Sequence, residues 1–191
     1  MVRHGETDWN REGRIQGSTD VPMNATGRAQ ARLAAARLAS RGPWSGIVTS
    51  PLSRAAETAS IIAGRLGLQG PVIEAGIAER RHGALEGLTV AERRRVEARA
   101  VPIAGLEART AVVARAVPAL AALATAHPGG SVVAVTHGGV IQSVLLHLLD
   151  RAALPSGAVA NGSLHVVRVA HGVLELVATD ALPAEEPSAT A

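Results

Sequence analysis

The sequence contains no cysteine, lysine, phenylalanine or tyrosine among its 191 residues, and it has only two tryptophans. Without cysteine the chain cannot form disulfides, thiolate zinc sites or a cysteine nucleophile, and nothing marks its redox compartment. Without lysine it can form no Schiff base and lacks the lysine of a phosphate-binding loop. These absences exclude several classes of enzyme and leave arginine as the only strongly basic side chain.

The isoelectric point near 11.1 resembles that of a nucleic-acid-binding protein, but here it has another cause. The net charge is only +3, and without lysine, tyrosine or cysteine only the amino end titrates between histidine and arginine. The one run of basic residues, Arg93 to Arg95, is too short to follow a phosphate backbone. Aromatic residues at 1% offer few surfaces for base stacking. We therefore expect no nucleic-acid partner.

The chain has no run of 18 uninterrupted apolar residues, so we expect no membrane span and no membrane partner. Arg3 and His4 leave no room for the apolar core of a secretory signal at the beginning, and we expect a cytoplasmic location. A chain of this length, 47% hydrophobic, can bury one sizeable core. We predict a single domain over residues 1–180 and a disordered polar tail over 181–191.

Apolar runs alternate with helical patterns along the chain, which is typical of an α/β protein with a mainly parallel sheet. The runs predict strands over 1–3, 47–49 and 131–136, and a weaker one over 72–73. Two further runs, 163–169 and 173–177, flank His171-Gly172 and predict an antiparallel hairpin at the sheet edge.

The helices between these strands have recognisable beginnings. Thr26 is the predicted N-cap of a helix ending near residue 40, and Ser50 with Pro51 is predicted to open a helix over 50–66. Thr89 and Glu92 have the spacing of a capping box. Apolar residues at helical spacing predict two more helices, over about 113–124 and 140–148. Pro118 is expected to kink the first of these.

Three charged clusters each follow a predicted strand, at residues 3–5, 50–54 and 136–139. In an open parallel sheet, ligands bind beyond the carboxyl ends of the strands, where helix N-termini present free N–H groups. Two histidines and two arginines would then meet in one crevice. Glycines in these clusters allow the backbone to approach a ligand, and arginine offers phosphoryl oxygens a planar fork. The sequence predicts a cationic pocket for phosphate.

At these clusters the chain resembles the histidine phosphatase superfamily, the phosphoglycerate mutase-like clan. The resemblance extends from residue 1 to about residue 177 and rests on blocks that occur in the same order. These blocks are 3–7 (RHGET), 9–10 (WN), 16–17 (QG), 20–24 (DVPMN), 50–58 (SPLSRAAET), 79–87 (ERRHGALEG) and 136–141 (THGGVI). The resemblance implies a three-layer α/β/α fold with a mainly parallel sheet and an antiparallel edge hairpin.

The resemblance also implies a role for each matching residue. His4 would attack phosphorus in line and become a phosphohistidine, and Glu79 would act as proton donor and then as proton acceptor. Further residues would hold the phosphate; these are Arg3, Asn10, Gln16, Gly17, Arg54, His137 and Gly138. Arginines would supply the charge that magnesium provides in other phosphoryl-transfer enzymes, so we expect no metal and no cofactor.

The resemblance implies a metal-independent phosphomonoesterase that acts on a small phosphorylated metabolite. A phosphoglycerate mutase-type transferase is the main alternative, and a non-catalytic phosphate-binding module is a weaker one. A mutase must keep its phosphohistidine from water, and the short span from Gly87 to Val112 predicts a small lid and an open crevice. This favours the phosphatase. The sequence leaves open whether the chain forms a homodimer.

Three features carry plainer expectations. Arg93 to Arg95 are expected on a solvated helix face, and His82 is expected to support the loop that carries Glu79. Only Met1 and Val2 precede the first motif, where relatives have several apolar residues. The central strand is therefore expected to be very short, or the native chain to begin further upstream.

Overall fold

The computed structural model describes residues 1–150, 154 and 159–180. Six strands form one sheet, namely β1 (Val2–Arg3), β2 (Gly46–Thr49), β3 (Val72–Ile73), β4 (Val132–Thr136), β5 (Leu164–Ala170) and β6 (Val173–Asp180). Their order across the sheet is β3-β2-β4-β1-β5-β6. The first four of these neighbours run parallel, while β5 is antiparallel to both β1 and β6. The predicted mixed α/β sheet with an antiparallel edge is confirmed.

Helices cover both faces of the sheet. They are α1 (Asp8–Arg11), α2 (Ala25–Ala39), α3 (Ser53–Leu66), α4 (Val90–Glu97), α5 (Arg109–Ala126) and α6 (Gly138–Leu148), with short 3₁₀ turns at Ala75–Ile77 and Gly83–Leu85. Alternate strand residues point to opposite faces. Ile47 packs with α2 and α3 in one apolar cluster, and Val48 packs with α5 and α6 in another. These two clusters establish the three-layer α/β/α arrangement.

Two predicted helix caps are wrong. The N-cap of α2 is Asn24, not Thr26, because the Asn24 side chain accepts a hydrogen bond from the Gly27 N–H at 2.9 Å. The cap of α3 is Leu52, which makes no side-chain cap bond. Ser50 lies two residues before that cap, and its hydroxyl accepts from the N–H of Leu52 and not from an N–H inside α3. The capping box of Thr89 and Glu92 at the start of α4 is confirmed.

The edge hairpin is confirmed and is longer than predicted. Its two-residue turn places both His171 and Gly172 at positive φ, 51° and 76°, as a turn that matches the twist of a hairpin requires. Strand β6 extends to residue 180, and a bulge lies between Val166 and Val167. Residues 181–191 lie outside the described part, so the domain boundary and the predicted tail remain predictions.

The central strand β1 is as short as expected. Val2 pairs with Val135 of β4 on one side and with Leu164 of β5 on the other, and Arg3 pairs with Thr136. Val2 is nevertheless 2% exposed. The chain that follows β1 therefore starts at the middle of the sheet.

The long helix α5 is continuous through Pro118, and the kink there remains a prediction. Length and composition alone would let this helix cross a membrane, since its mean hydropathy is 1.3 over 18 residues. In the fold, Val112, Ala116 and Leu120 are buried in the core. A long apolar helix is equally typical of a domain core, and the absence of a membrane partner also remains a prediction.

An apolar cavity of about 450 Å³ lies at the amino ends of β1 and β4. Trp44 borders it and donates its indole N–H to the Leu38 carbonyl at 2.8 Å. None of the residues predicted for the phosphate site lines this cavity. The predicted residues lie at the other end of the sheet.

Candidate active site

The predicted site residues meet in a crevice of about 310 Å³ at the carboxyl ends of the parallel strands. His4 follows β1, Ser50 follows β2 and His137 follows β4, and these three strands are neighbours in the sheet. Among the predicted residues, the following line the crevice: Arg3, His4, Asn10, Gln16, Gly17, Arg54, Glu79 and Gly138. His137 lies beneath them, fully buried, with its ring centroid 5.1 Å from that of His4.

The ring of His4 is held in one orientation. Its Nδ1 lies 2.7 Å from the Gly5 carbonyl, which can only accept a hydrogen bond, so Nδ1 carries the proton. The Nε2 atom then carries the lone pair. Burial lowers the pKa of His4 well below its usual value, and the charges of Arg3 and Arg54 lower it further. His4 is therefore a neutral imidazole with a free nucleophilic nitrogen.

The ring of His137 is anchored from the opposite side. Its Nε2 lies 2.7 Å from the Ser50 hydroxyl, and that hydroxyl also accepts from the Leu52 N–H at 3.3 Å. The buried Nδ1 of His137 has no partner within residues 1–150, 154 and 159–180. Burial lowers the pKa of His137 well below its usual value, with His4 and Arg54 acting in the same direction.

The two arginines are fixed by backbone carbonyls. Arg54 is fully buried and donates to the Gly17 carbonyl at 2.8 Å and to the Thr19 carbonyl at 2.9 Å. Arg3 donates to the Val159 carbonyl at 2.7 Å. Burial lowers the pKa of both guanidinium groups, and the charge of Glu79 partly opposes this. Carbonyls orient both groups without cancelling their charge, and the nearest paired acid is Asp20, whose carboxylate lies 4.0 Å from Arg54 Nη1. Both groups can still bind an anion.

Glu79 forms part of the crevice wall next to the start of α6. Its carboxylate accepts from the Arg80 N–H at 2.7 Å and from the Gly139 N–H at 3.3 Å. A Cβ at Gly139 would lie 2.5 Å from the Glu79 carboxylate, so glycine is needed for this approach. Burial raises the pKa of Glu79 more than these hydrogen bonds and the nearby arginines lower it. A raised pKa suits a carboxyl group that donates a proton.

The remaining predicted phosphate contacts differ in which of their hydrogen-bonding groups are already engaged. Gln16 is 7% exposed, and its Oε1 has no partner in the described part of the chain. The Asn10 oxygen already accepts from Thr7 and from Asn161, which leaves its amide N–H groups. Gly138 begins α6, where backbone N–H groups have no partner inside the helix.

Sequence reasoning missed three residues that hold this site together. Asn161 donates to the His4 carbonyl at 3.0 Å, and Glu107 accepts from Arg115 at 2.9 Å. Glu86 accepts from the N–H groups of Ser18 and Thr19, both at 3.0 Å. Only Glu86 lies in a block that carried the family resemblance. Asn161 and His4 are distant in sequence, and Arg115 lies eight residues from Glu107, a spacing that belongs to no local motif.

The network around Glu86 fixes the loop that orients Arg54. Burial alone would raise the pKa of Glu86, but hydrogen bonds from Ser18, Thr19 and the His82 N–H outweigh it and bring the pKa to about 2. His82 was expected to support the loop that carries Glu79. In the structure its backbone N–H donates to Glu86, and the residue also lines the crevice.

The predicted solvated face of α4 is only partly correct. Arg94 and Arg95 are exposed, whereas Arg93 is half-buried and lines the crevice.

Within the described ranges, no three metal-ligating side chains lie close enough to hold an ion, and the expectation of a metal-free site remains a prediction. Trp9 packs near Gly87, where a Cβ would lie 3.5 Å from its ring.

A family model described as the histidine phosphatase superfamily, branch 1, matches residues 1–181. Among curated proteins, phosphoglycerate mutase-like protein 4 of Arabidopsis thaliana is 36% identical over 188 residues, covering 90% of this chain and 79% of that protein. The metal-independent phosphoserine phosphatase of the same plant is 33% identical over 181 residues, covering 88% and 75% respectively.

A solved structure shares the whole architecture. The mycobacterial glucosyl-3-phosphoglycerate phosphatase, in complex with VO3, is 32% identical and superposes with a TM-score of 0.76. The match covers 95% of this chain and 96% of that chain. The fold is thus common to that structure and this chain.

Proposed function

The chain belongs to the histidine phosphatase superfamily and is an enzyme of the phosphomonoester hydrolase class, and we propose that it acts without metal through a phosphohistidine at His4. The observation that carries this proposal is the pairing of two buried histidine rings, 5.1 Å apart, beside the guanidinium groups of Arg3 and Arg54. Such a pocket can hold a phosphoryl group and present it to a neutral nucleophile.

In the first step, the lone pair of His4 Nε2 attacks phosphorus and forms an N–P bond. The P–O bond to the leaving group breaks, and Glu79 gives its proton to the departing oxygen. Arg3 and Arg54 bind the equatorial oxygens, where negative charge is concentrated in the transition state. The raised pKa of Glu79 supports its role as the acid, because more of it is protonated near neutral pH than of an ordinary glutamate.

In the second step, water attacks the phosphohistidine. Glu79, now a carboxylate, takes a proton from the water, the N–P bond breaks, and inorganic phosphate is released with His4 neutral again. The Gly5 carbonyl supports both steps, because its bond to Nδ1–H stabilises the positive ring of the intermediate. Asn10, Gln16, Gly17 and Gly138 are the proposed additional phosphate contacts.

His137 is proposed to bind the phosphate as a neutral hydrogen-bond donor. The Ser50 hydroxyl accepts from the Leu52 N–H and can give its own proton to Nε2 of His137. Nδ1 of His137 then carries a proton, and this N–H has no hydrogen-bond partner in the described structure. This tautomer directs one N–H at the phosphate without adding a second cationic ring beside His4.

Hydrolysis is favoured over phosphoryl transfer by the access of water. Between α3 and α5, all of which the structure describes, α4 is the only α-helix and has eight residues. Glu79, Arg93 and Arg109 in the crevice wall are partly exposed. Water can therefore reach the intermediate. The relatives named for phosphoserine and glucosyl-3-phosphoglycerate support a small phosphorylated metabolite as substrate. We place this activity in the cytoplasm.

The test compares the wild type with His4→Ala and with His147→Ala, which changes an exposed histidine of α6. Release of p-nitrophenol from p-nitrophenyl phosphate is measured with EDTA present. We expect turnover in the wild type and in His147→Ala, and a loss of at least about a thousandfold in His4→Ala. Rapid acid-free quenching of reactions with a ³²P-labelled phosphoester should trap label on the wild type and on His147→Ala, and none on His4→Ala.

Two results would contradict this proposal. One is full dependence of turnover on an added divalent metal; the other is His4→Ala with near wild-type turnover. Exchange of phosphate between the 2 and 3 positions of phosphoglycerate without comparable hydrolysis would instead identify the mutase.

A further inference from the structure

The segment that carries Glu79 has little regular structure of its own. A 3₁₀ turn ends at Ile77, and residues 78–82 belong to no helix or strand. Backbone carbonyls in such a segment need hydrogen-bond partners from elsewhere in the fold. The position of the Glu79 carboxyl group therefore depends on the groups that bind the backbone around it.

The side chain of Arg115, on α5, binds the backbone at Glu79 and just before it. Its Nη1 donates to the Gly76 carbonyl at 2.9 Å and to the Ala78 carbonyl at 2.7 Å. Its Nη2 donates to the backbone carbonyl of Glu79 at 3.2 Å. Three carbonyls from one short stretch of chain thus share a single guanidinium group.

The Glu107 carboxylate fixes the orientation of this guanidinium group. It accepts from Arg115 Nε at 2.9 Å and from Arg115 Nη2 at 3.1 Å, which is the two-point geometry of a strong arginine–carboxylate pair. With the three carbonyls, this pair provides one partner for each of the five N–H groups of the arginine. Glu107 is only 8% exposed, so water competes little for these bonds.

Glu107 also binds the chain just after Glu79. Its carboxylate accepts from the Arg81 N–H at 3.0 Å, and its backbone N–H donates to the Arg81 carbonyl at 2.9 Å. The ion pair of Arg115 and Glu107 therefore holds the backbone before, at and after Glu79.

The loop lies close enough to α5 for these bonds because it has a glycine at the contact. A Cβ at Gly76 would lie 2.6 Å from the Cβ of Ala119 and 3.1 Å from the Arg115 carbonyl oxygen. A larger residue would push the loop away from the helix. The approach of the loop to Arg115 is thus a feature of the packing and not of one side chain alone.

The Glu79 carboxylate has few anchors outside its own loop. One of its hydrogen bonds comes from the N–H of the next residue, Arg80, and moves with the loop. The other comes from the Gly139 N–H at 3.3 Å and is long. A shift of the loop backbone would therefore displace the carboxyl group, and a displacement of about 1 Å can lower the rate of a reaction about a hundredfold.

We propose that Arg115 is a positioning residue for the reaction, which fixes the loop backbone so that the Glu79 carboxyl group stays within reach of the leaving oxygen. Among the described residues, Arg115 is not one that lines the crevice, so it acts through Glu79 and not on the phosphate. This inference rests on the proposed function, because it assumes that Glu79 gives its proton to the leaving group.

The test compares kcat/KM for phenyl phosphate and for p-nitrophenyl phosphate, which are similar in size. Phenol is a weaker acid than p-nitrophenol, so its departure depends more on a proton from Glu79. Arg115→Met keeps an apolar stem and removes all five donors. We expect it to lower kcat/KM about a hundredfold for phenyl phosphate and less than about tenfold for p-nitrophenyl phosphate.

Two further variants control for charge and for folding. Arg94→Met, at an exposed position of α4, should leave both kcat/KM values unchanged. Arg115→Met leaves the Glu107 carboxylate without its main partner, which destabilises the fold, so Arg115→Met/Glu107→Gln is measured beside it. Circular dichroism checks that each variant is folded. The double variant should show the same preferential loss, because the three carbonyls lack their donor in it too.

Glu79→Gln distinguishes failure of this inference from failure of the proposed function. We expect it to show the same preferential loss for phenyl phosphate, and Arg115→Met added to it should lower kcat/KM little further, because both changes affect one proton transfer. A wild type that hydrolyses neither substrate, or an equal loss for both substrates in Glu79→Gln, would overturn the proposed function and this inference together.

The positioning role alone would be overturned by a different result. In that case Glu79→Gln shows the preferential loss, whereas Arg115→Met and Arg115→Met/Glu107→Gln lower kcat/KM for both substrates by the same factor or leave it unchanged. Such an equal loss is what a general loosening of the fold would produce.

Discussion

At the scale of single residues, the Ser50 hydroxyl is placed to select the tautomer of His137 that we propose for phosphate binding. It lies 2.7 Å from Nε2 of His137 and accepts from the Leu52 N–H. Without this hydroxyl, His137 would populate both neutral tautomers. In the tautomer protonated at Nε2, the Nδ1 lone pair would face a phosphate oxygen and could not donate to it. In the proposed site, the tautomer of His137 therefore depends on a residue that touches no substrate.

We predict that Ser50→Ala lowers kcat/KM for p-nitrophenyl phosphate by about tenfold, because one oriented donor to the phosphate is weakened. Ser60→Ala removes a hydroxyl from the exposed side of α3 and serves as the control. Steady-state kinetics measure the effect, and Ser50→Thr should recover part of the loss. Kinetics of Ser50→Ala that match those of Ser60→Ala would rule out this positioning role.

The sequence identified the residues of this site better than it identified their partners. His4, Arg54 and His137 were predicted from motifs, and the structure brings them together. Ser50 was predicted as a helix cap, because a serine followed by proline is typical of a helix start. Its hydroxyl bonds instead to a side chain 87 residues away, and a contact of that range leaves no trace in local spacing.

At the scale of elements, the loop after β1 and the start of α2 are in direct backbone contact. A Cβ at Gly5 would overlap the Gly27 carbonyl, and a Cβ at Gly27 would overlap the Glu6 carbonyl. The Asn24 side chain strengthens this contact by donating to the Glu6 carboxylate at 2.9 Å. The helix thus supports the segment that carries His4.

We predict opposite effects for two helical glycines. Gly27→Ala should destabilise the fold by about 2 kcal/mol, because two backbones must separate. Gly64→Ala in α3 meets nothing within 4 Å and should stabilise it by about 0.5–1 kcal/mol, because alanine favours a helix. Urea unfolding monitored by circular dichroism measures both. Destabilisation of equal size in the two variants would contradict the close approach.

Elements with strong local signals were predictable and the caps were less so. The buried strand β4, the helix after it and the edge hairpin all follow from apolar runs and a Gly-containing turn. Thr26 and Asn24 are both good cap residues, and the choice between them depends on contacts of Asn24 with Glu6, which belongs to another segment.

At the scale of the whole molecule, the fold keeps its buried histidines neutral. Burial lowers the pKa of His82 and His165 to about 4 and those of His4 and His137 well below 6.5. The unfolded chain therefore binds more protons than the folded one as the pH falls below 6.5. Glu79 acts in the opposite direction, because its raised pKa favours the folded state in acid.

We predict that the free energy of unfolding falls by at least about 2 kcal/mol between pH 7 and pH 5, since each such proton contributes up to about 1.4 kcal/mol per pH unit. Urea titrations at several pH values measure this. His165→Gln should flatten the dependence, while His147→Gln, at an exposed position, should follow the wild type. A pH-independent wild type would contradict the prediction.

The order of strands could not be obtained from the residues alone. The pattern indicates strands and their burial, but β1 lies between β4 and β5, far from its neighbours in sequence. The family resemblance implied only that the first strand is central and that the hairpin lies at the edge. Periodicity specifies which face of a strand is buried, and only the folded chain specifies its neighbours.

The two tryptophans, Trp9 and Trp44, lie at opposite ends of the sheet, so their fluorescence can report separately on the two ends. No tyrosine or phenylalanine contributes to its emission. Trp9 lies next to Asn10 of the crevice, whereas Trp44 is fastened to Leu38 beside the far cavity. The fluorescence of Trp44→Leu, which keeps Trp9, should therefore change when an anion enters the crevice. The fluorescence of Trp9→Leu, which keeps Trp44, should not change with the anion and should change only on denaturation.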